Sequence, residues 1–373
     1  MRVLMTGGGT GGHVNPALAI AAQIKKHDPD SVIAFAGTPR GIENKLVPKE
    51  GYPLYHVDVR PLSRRLTLSN LRTFLLAFTS VFEAKKIIKE FKPDLVVGTG
   101  GYVCWPVVKA ASLMGIPTAL HEANAFPGMT TRMLEKYTDL FMVCYEETKA
   151  HLKSPEKAVH VGNPVNPLFL SLDGAEERRK QGVEGKYRRL ILSCGGSMGA
   201  EQVNFNVLDV MKRYTINHPE VLHIHGTGAI EYEIAKAKFE EMGLEKAENI
   251  QLREYIYDMP SLMASADLVI NRAGSMTLSE LEILGKPCIL IPSPNVTDNH
   301  QYKNAKVLAD RGGALLIEEK DLKEGVLAQA VEKLLADEET LKRMSEAMSS
   351  MAMKNAGERI YNLLISLVKK EKM

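Results

Sequence analysis

The 373-residue chain is 45% hydrophobic and 25% charged, with a mean hydropathy of −0.12, a balance that excludes disordered and fibrous classes. Its length suits two domains, each burying its own core. The net charge of +2 is unevenly spread, with 20 Lys+Arg against 14 Asp+Glu through residue 163 and 27 against 31 beyond it, so the first half is expected to face an anionic surface or substrate, with no nucleic-acid partner.

Residues 1–5 run straight into glycines, too short an apolar run for a signal-peptide core, and nothing approaches the roughly 18 apolar residues of a spanning helix. A cytoplasmic start without a membrane crossing is expected. Cys104, Cys144, Cys194 and Cys288 are widely spaced in apolar stretches, which suggests buried thiols rather than disulfides or a zinc site.

A strand at 2–6 leads into Gly7-Gly8-Gly9-Thr10-Gly11-Gly12-His13 and a helix at 15–26, which Asn15 can cap and in which Pro16 fits the first position. Five of those seven loop residues lack a side chain, so backbone N–H groups can approach a phosphate or sugar closely at a positive helix end. The string satisfies Gly-x-Gly-x-x-Gly, yet the next strand, 32–36, offers no acid for a ribose, which disfavours a nicotinamide enzyme. Nor is it a Walker loop, because His13 and Val14 stand where Lys and Ser or Thr belong. The only Asp-x-Asp triplet, Asp28-Pro29-Asp30, precedes the strand at 32–36, the wrong sheet edge for a metal-held diphosphate. Neither metal nor cofactor is expected.

After a helix at 41–49, Leu71, Phe74, Leu75, Phe78 and Phe82 fall at roughly helical spacing. Arg60, Arg64, Arg65 and Arg72 lie before or among them, and Lys85, Lys86 and Lys89 follow. The pattern fits an interfacial anchor on an anionic membrane, or a core-facing stripe flanked by solvated charges. A strand at 94–97 precedes a second glycine loop, Gly98-Thr99-Gly100-Gly101, and a strand at 118–120 precedes His121-Glu122. Two prolines within 160–167 mark a linker, with the domain boundary near 163.

The strand cadence then restarts at 189–193, 221–225, 249–252, 267–270 and 287–291. A third loop, Gly195-Gly196-Ser197-Met198-Gly199, follows the first of these, and Asn271-Arg272-Ala273-Gly274 opens a helix after the fourth. That helix end can face a diphosphate while Glu280, one turn inside, accepts two hydrogen bonds from a ribose diol. Thr277-x-x-Glu280 is equally a capping-box pattern. Asp298-Asn299-His300-Gln301 could read sugar hydroxyls or form a solvated loop. Ile360, Leu363, Leu364 and Leu367 mark a final amphipathic helix at 358–373. The expected architecture is α/β: two Rossmann-like, doubly wound parallel-sheet domains, 1–163 (joined by the last helix) and 164–357, with a cleft between them.

Together the stretches 7–13, 98–102, 195–200 and 274–280, with His121-Glu122-Ala123-Asn124 and Gly162-Asn163-Pro164-Val165, resemble the MurG family of peptidoglycan glycosyltransferases over nearly the whole chain. The resemblance implies a GT-B fold. It also implies inverting transfer of N-acetylglucosamine from UDP-N-acetylglucosamine to undecaprenyl-diphospho-N-acetylmuramoyl-pentapeptide, by a peripheral protein on the cytoplasmic face of the membrane. By position, it places uridine and ribose against Ile256 and Glu280, and the diphosphate near Ser197 and Ser275, Met276 and Thr277, with Leu278 and Ser279 in the same stretch. The donor sugar would lie near Asn124 and Gln301, and the acceptor diphosphate over Thr10, Gly11 and Gly12. Two departures stand out: Asn166 replaces a frequent Arg, and His300 replaces one of a common Gln pair.

Inversion needs a base, for which His13 has a suitable ordinary pKa, although a lone His is as readily structural. Glu122 is the rival base, or the group that orients His13. A UDP-N-acetylglucosamine 2-epimerase and a non-catalytic nucleotide-sugar sensor remain the alternative readings.

Overall fold

The computed structural model describes residues 1–60, 69–196 and 198–370. The chain divides into two units, one of residues 1–165 with the segment from Asn355 on, the other Asn166–Lys354.

In the first unit β1 (Arg2–Thr6), β2 (Val32–Gly37), β3 (Leu54–His56), β4 (Leu95–Gly98), β5 (Thr118–Glu122), β6 (Leu140–Val143) and β7 (Ala158–His160) form one sheet. Its order is β3-β2-β1-β4-β5-β6-β7, and every pairing is parallel. Both faces are covered, so the strands read as continuous apolar runs rather than alternating ones. Alternate residues still part to opposite sides. Leu4, Ala34 and Val96 pack with Ala84, Ile88 and Val107 from the helices Ser69–Phe91 and Cys104–Leu113. Val3, Met5 and Phe35 pack with Val14, Ile20 and Ile24 of the helix Gly11–His27 and with Ile360 and Leu364 of the last helix, Ala356–Lys370. His27 stacks on Tyr361 with ring centroids 4.6 Å apart.

The helix expected at 15–26 begins four residues earlier. Thr10 is its N-cap, and the N–H groups of His13 and Val14 both donate to the Thr10 carbonyl, so Asn15 and Pro16 lie inside the helix.

In the second unit β8 (Arg189–Cys194), β9 (Val221–Gly226), β10 (Ile250–Arg253), β11 (Leu268–Asn271), β12 (Cys288–Leu290) and β13 (Ala314–Leu316) run in the order β10-β9-β8-β11-β12-β13, again all parallel. The two sheets therefore share one doubly wound plan. In each, the chain reverses its direction of strand addition beside the first strand, and ligands of such sheets bind at that crevice outside the carboxyl ends. The four glycine-bearing turns lie there: 7–12 and 98–101 after β1 and β4, and Gly195, Gly196 and Gly199 after β8 and 272–274 after β11.

All four cysteines are buried. Among the described residues no helix is long and apolar enough to cross a membrane, and no group of three or more His, Cys, Asp or Glu side chains could hold a metal ion. Asp28 of the Asp-x-Asp triplet accepts from the Met1 ammonium at 2.9 Å.

Candidate active site

In the second unit the helix Ser275–Leu284 starts directly after β11. Gly274 is its N-cap and supplies no side-chain bond, and its first turn holds no acid. The surface helices Gly174–Lys180 and Glu338–Met351 show the ordinary solution, with Asp173 and Asp337 accepting from Glu176 and Thr340 and two glutamates in each first turn. The end at Ser275, Met276 and Thr277 thus keeps its positive character, suited to an anion.

This geometry removes the capping-box reading of Thr277 and Glu280, because Thr277 already sits within the first turn instead of preceding it. Within the stretch 275–280 the side chains differ in access to the pocket. Thr277 and Glu280, three apart, share the pocket face. Leu278 is fully buried with its N–H committed to the Gly274 carbonyl at 3.0 Å, and Ser279 is buried too. Neither offers a ligand a side chain.

Glu280, Thr277, Ile256, Gly226 and Gly228 line a pocket of about 180 Å³. A Cβ at Gly226 would come within 2.9 Å of Ile256 Cδ1, so the glycine lets Ile256 close over the end of β9. Burial pushes the Glu280 carboxyl up to about 7, and no described residue donates a hydrogen bond to it. Such a carboxyl gains strongly from hydroxyl donors brought by a ligand. An adjoining hollow of about 490 Å³ is lined by Gly195, Gly196, Gly274, Ser293, Arg272 and Gln301. Gln301 Oε1 accepts from the Ser293 N–H at 2.9 Å, which leaves its NH2 as the group that can donate to a ligand. Arg272 is committed to the Ile291 and Pro292 carbonyls at 3.1 Å and to Glu319 at 2.5 Å, so it shapes this wall. Ser197 lies outside the described residues.

In the first unit the two glycine loops serve different ends. A Cβ at Gly101 would lie 2.2 Å from the Gly8 carbonyl oxygen and one at Gly100 2.5 Å from His13 Nδ1, and both residues have positive φ. The loop 98–101 is therefore a bed for the first loop, not a second phosphate cradle. At Gly11 and Gly12 a Cβ would meet nothing closer than 3.7 Å, so internal packing does not demand glycine there. Thr10 makes no side-chain cap and the first turn carries no acid, which makes this the second positive helix end beside a glycine loop.

His13 Nδ1 lies 3.2 Å from the Thr99 carbonyl. A carbonyl only accepts, so Nδ1 carries the proton and Nε2 the lone pair of the neutral ring. Glu122, at the end of β5, is buried and accepts four bonds: from the Asn124 N–H and side-chain amide at 3.1 Å, the Gly128 N–H at 3.0 Å and the Thr131 hydroxyl at 2.7 Å. Its lone pairs are committed to ordering the segment that carries Asn124.

Sequence reasoning overlooked Glu43. Its buried carboxylate accepts from the Gly9 N–H at 3.0 Å and from the Thr38 N–H and hydroxyl at 2.8 and 2.7 Å. Burial pushes its pKa up, but these bonds together prevail and hold it below its ordinary value. The signal was a lone acid beside a glycine-rich turn, with its chief partner 34 residues away.

Two doubly wound units with uncapped helix ends at glycine loops suit a nucleotide-sugar enzyme, and the family models give the class, a two-domain glycosyltransferase. The glycosyltransferase family 28 N-terminal domain matches residues 3–143 and the family 28 C-terminal domain residues 190–360. Within that class the chain belongs to the MurG family. It is 43% identical over 99% of both chains to the UDP-N-acetylglucosamine–N-acetylmuramyl-(pentapeptide) pyrophosphoryl-undecaprenol N-acetylglucosamine transferase of Acetivibrio thermocellus. The crystal structure of Acinetobacter baumannii MurG matches with a TM-score of 0.80 at 29% identity, covering 98% of this chain and 99% of that one. A UDP-GlcNAc 2-epimerase from Neisseria meningitidis matches with a TM-score of 0.69 at 16% identity over 98% of this chain and 100% of its own, a likeness of fold alone.

Proposed function

We propose that the chain transfers N-acetylglucosamine from UDP-N-acetylglucosamine to undecaprenyl-diphospho-N-acetylmuramoyl-pentapeptide in peptidoglycan synthesis. The observation that carries this reading is the end-to-end identity with the Acetivibrio thermocellus transferase, and the pocket chemistry supports it. Glu280 takes the ribose diol beside Ile256. The N–H groups of Ser275, Met276 and Thr277 meet the donor diphosphate, and Asn124 and Gln301 address the sugar. Thr10, Gly11 and Gly12 receive the acceptor diphosphate.

In the transfer, an acceptor hydroxyl attacks the anomeric carbon as the bond from that carbon to the diphosphate oxygen breaks. The proton passes to His13 Nε2, UDP departs with the bonding pair, and the anomeric centre inverts. His13 is the base in this scheme. Glu122 acts through Asn124, since its oxygens already accept four bonds.

The acceptor's lipid tail requires that the first unit work at a membrane, and the anionic cytoplasmic face is the one proposed. Phe82 supports this: it is 66% exposed on the helix Ser69–Phe91, while Val81, Ala84, Ile88 and Phe91 form the core-facing stripe. Arg64 and Arg65 lie outside the described residues, as do the side chains of Leu71, Arg72, Phe74, Leu75 and Phe78.

Incubation with UDP-N-acetylglucosamine and the lipid-linked acceptor, followed by mass spectrometry, tests the reading. The lipid product should gain one N-acetylhexosamine with release of one UDP. Epimerised sugar from donor alone, or donor binding without acceptor-dependent UDP release, would overturn it in favour of an epimerase or a sensor.

A further inference from the structure

Behind the strand ends that wall the second-unit pocket runs a file of polar side chains. Thr215, His223, Ser193, His225, Asn204 and Thr227 are each no more than 1% exposed. Thr215 Oγ1 lies 3.2 Å from His223 Nδ1, and Ser193 Oγ lies 2.9 Å from both His223 Nε2 and His225 Nδ1. His225 Nε2 lies 3.1 Å from Asn204 Oδ1, and Asn204 Nδ2 lies 3.1 Å from the Thr227 carbonyl.

The direction of every bond follows from one end. The Thr227 carbonyl only accepts, so the Asn204 NH2 faces it and Oδ1 faces His225. Oδ1 also only accepts, so His225 carries its proton on Nε2 and presents a lone pair at Nδ1. The Ser193 hydroxyl donates to that lone pair at 2.9 Å, a closer acceptor than the Ile224 carbonyl at 3.4 Å, and, its one proton committed, accepts from His223 Nε2–H. His223 Nδ1 in turn accepts from Thr215. Both rings are neutral in this arrangement, and burial holds both pKa values below the ordinary 6.5.

A competing arrangement lies close by. His225 Nδ1 is also 3.1 Å from the Ser193 carbonyl, which would welcome the proton on Nδ1. In that tautomer the bare Nε2 would draw the Asn204 NH2 and turn Oδ1 onto the Thr227 carbonyl, setting two acceptors against each other. The Thr227 carbonyl, acting through the Asn204 amide, selects against this, and the Ser193 hydroxyl supports the selection by donating to Nδ1.

The end of the file matters because of where Thr227 and Gly228 sit. Their N–H groups donate at 3.0 Å to the Arg253 and Glu254 carbonyls, next to Ile256. On the other side they wedge against the glycine loop: a Cβ at Gly199 would fall 2.4 Å from the Thr227 carbonyl oxygen, and one at Gly228 2.1 Å from the Gly199 nitrogen. Gly228 lines the pocket, whereas the five side chains of the file do not.

We propose that Thr215, His223, Ser193, His225 and Asn204 form a positioning chain for the donor nucleotide: they fix the His225 tautomer, and through it the Asn204 amide that holds the Thr227–Gly228 corner against the glycine loop. The inference rests on the pocket being the UDP site. It makes these residues positioning residues that act on donor binding through backbone they never share with the ligand.

The test uses the full chain, UDP as the calorimetric probe, and imidazole nitrogen NMR to read the tautomers. Wild type should show His225 protonated at Nε2. Ser193→Ala should move that proton to Nδ1 and weaken UDP about five- to tenfold, the scale of one hydrogen bond, while Ser193→Thr restores both. Asn204→Asp, which still accepts from His225 but cannot donate to Thr227, should raise the KM for UDP-N-acetylglucosamine by a similar factor and leave the acceptor KM unchanged. Should the aspartate fail to fold, the Ser193 pair still decides. A wild-type ring protonated at Nδ1, or a tautomer change in Ser193→Ala without loss of UDP affinity, overturns the inference alone. Absence of UDP binding by wild type overturns the reading of the pocket, and the inference with it.

Discussion

Glu280→Gln keeps the shape of the side chain and removes its titration. In the fold the carboxyl is pushed up to about 7 by burial, against an ordinary 4.5. Between those values the folded chain holds a proton that the unfolded chain has released, so stability falls as pH rises through the window. At about 1.4 kcal/mol per pH unit the full cost is about 3 kcal/mol, reached by pH 8, and it shrinks to under about 1 kcal/mol at pH 5. Without ligand, Glu280→Gln should therefore be more stable than wild type by about 3 kcal/mol at pH 8 and nearly equal at pH 5, as measured by urea unfolding. His225 acts in the opposite sense below 6.5, which is why the difference between the two proteins, not the wild-type curve, is the readout. The variant should nevertheless bind UDP about 10- to 150-fold more weakly at pH 8, the scale for hydrogen bonds to a charged group. Wild-type affinity relative to the variant should fall about tenfold from pH 8 to pH 6 as the carboxylate takes up its proton. UDP's own titration is common to both proteins and cancels in that ratio. A stability difference that does not change with pH, or UDP affinities that agree at pH 8, would refute the reasoning.

His13→Ala should lower kcat by roughly 100-fold or more with UDP affinity retained, as loss of a general base requires, and near-normal turnover would eliminate His13. Glu43→Ala strands the Gly9 N–H and both Thr38 donors, so unfolding should show a loss of about 1 to 3 kcal/mol, with acceptor KM rising before donor KM. Glu122→Gln should raise donor KM by disordering Asn124 without shifting the pH optimum, and a shifted optimum would return Glu122 to the role of base. Arg64→Glu, Arg65→Glu and Phe82→Ser combined should reduce sedimentation with anionic vesicles by about 2 to 3 kcal/mol in binding free energy and leave neutral vesicles unaffected.

Much of the fold was legible because doubly wound sheets announce themselves as short apolar runs separated by helical patterns, and β1, β2, β8 and β9 stand within a residue of their expected positions. The edge strands β3, β7 and β13 carry only three residues each and leave no periodicity to read. At the site, the glycine-loop string located the Gly11–His27 helix end but not its start, because glycines that look like a loop continue the helical turn from Thr10. The string also made Gly98–Gly101 look like a ligand cradle. Only the approach of Gly101 to Gly8 and of Gly100 to His13 reveals those residues as a bed, and that contact lies about 90 residues away in the chain. The Ser193–His225–Asn204 file was invisible for the same reason: strand alternation sends Ser193, His223 and His225 to positions that would otherwise be read as apolar core.

The last helix bears on the order in which the chain can fold. Ile360, Leu364 and Val368 cover Val14, Ile20 and Ile24, so the first unit completes its core only with residues that follow the whole second unit in the chain. The second unit is, in effect, inserted into the first, and its whole length must be made in between. At bacterial-to-eukaryotic synthesis rates that interval is roughly 10 to 40 s, against folding times of seconds or less for a domain of this kind. The unit that begins the chain is thus the one that finishes second, with the apolar face of its first helix waiting for a cover during synthesis. A chain stalled with residues up to Lys354 already outside the ribosome should hold a protease-resistant second unit and a first unit that still needs a chaperone, which ribosome-bound limited proteolysis can read directly.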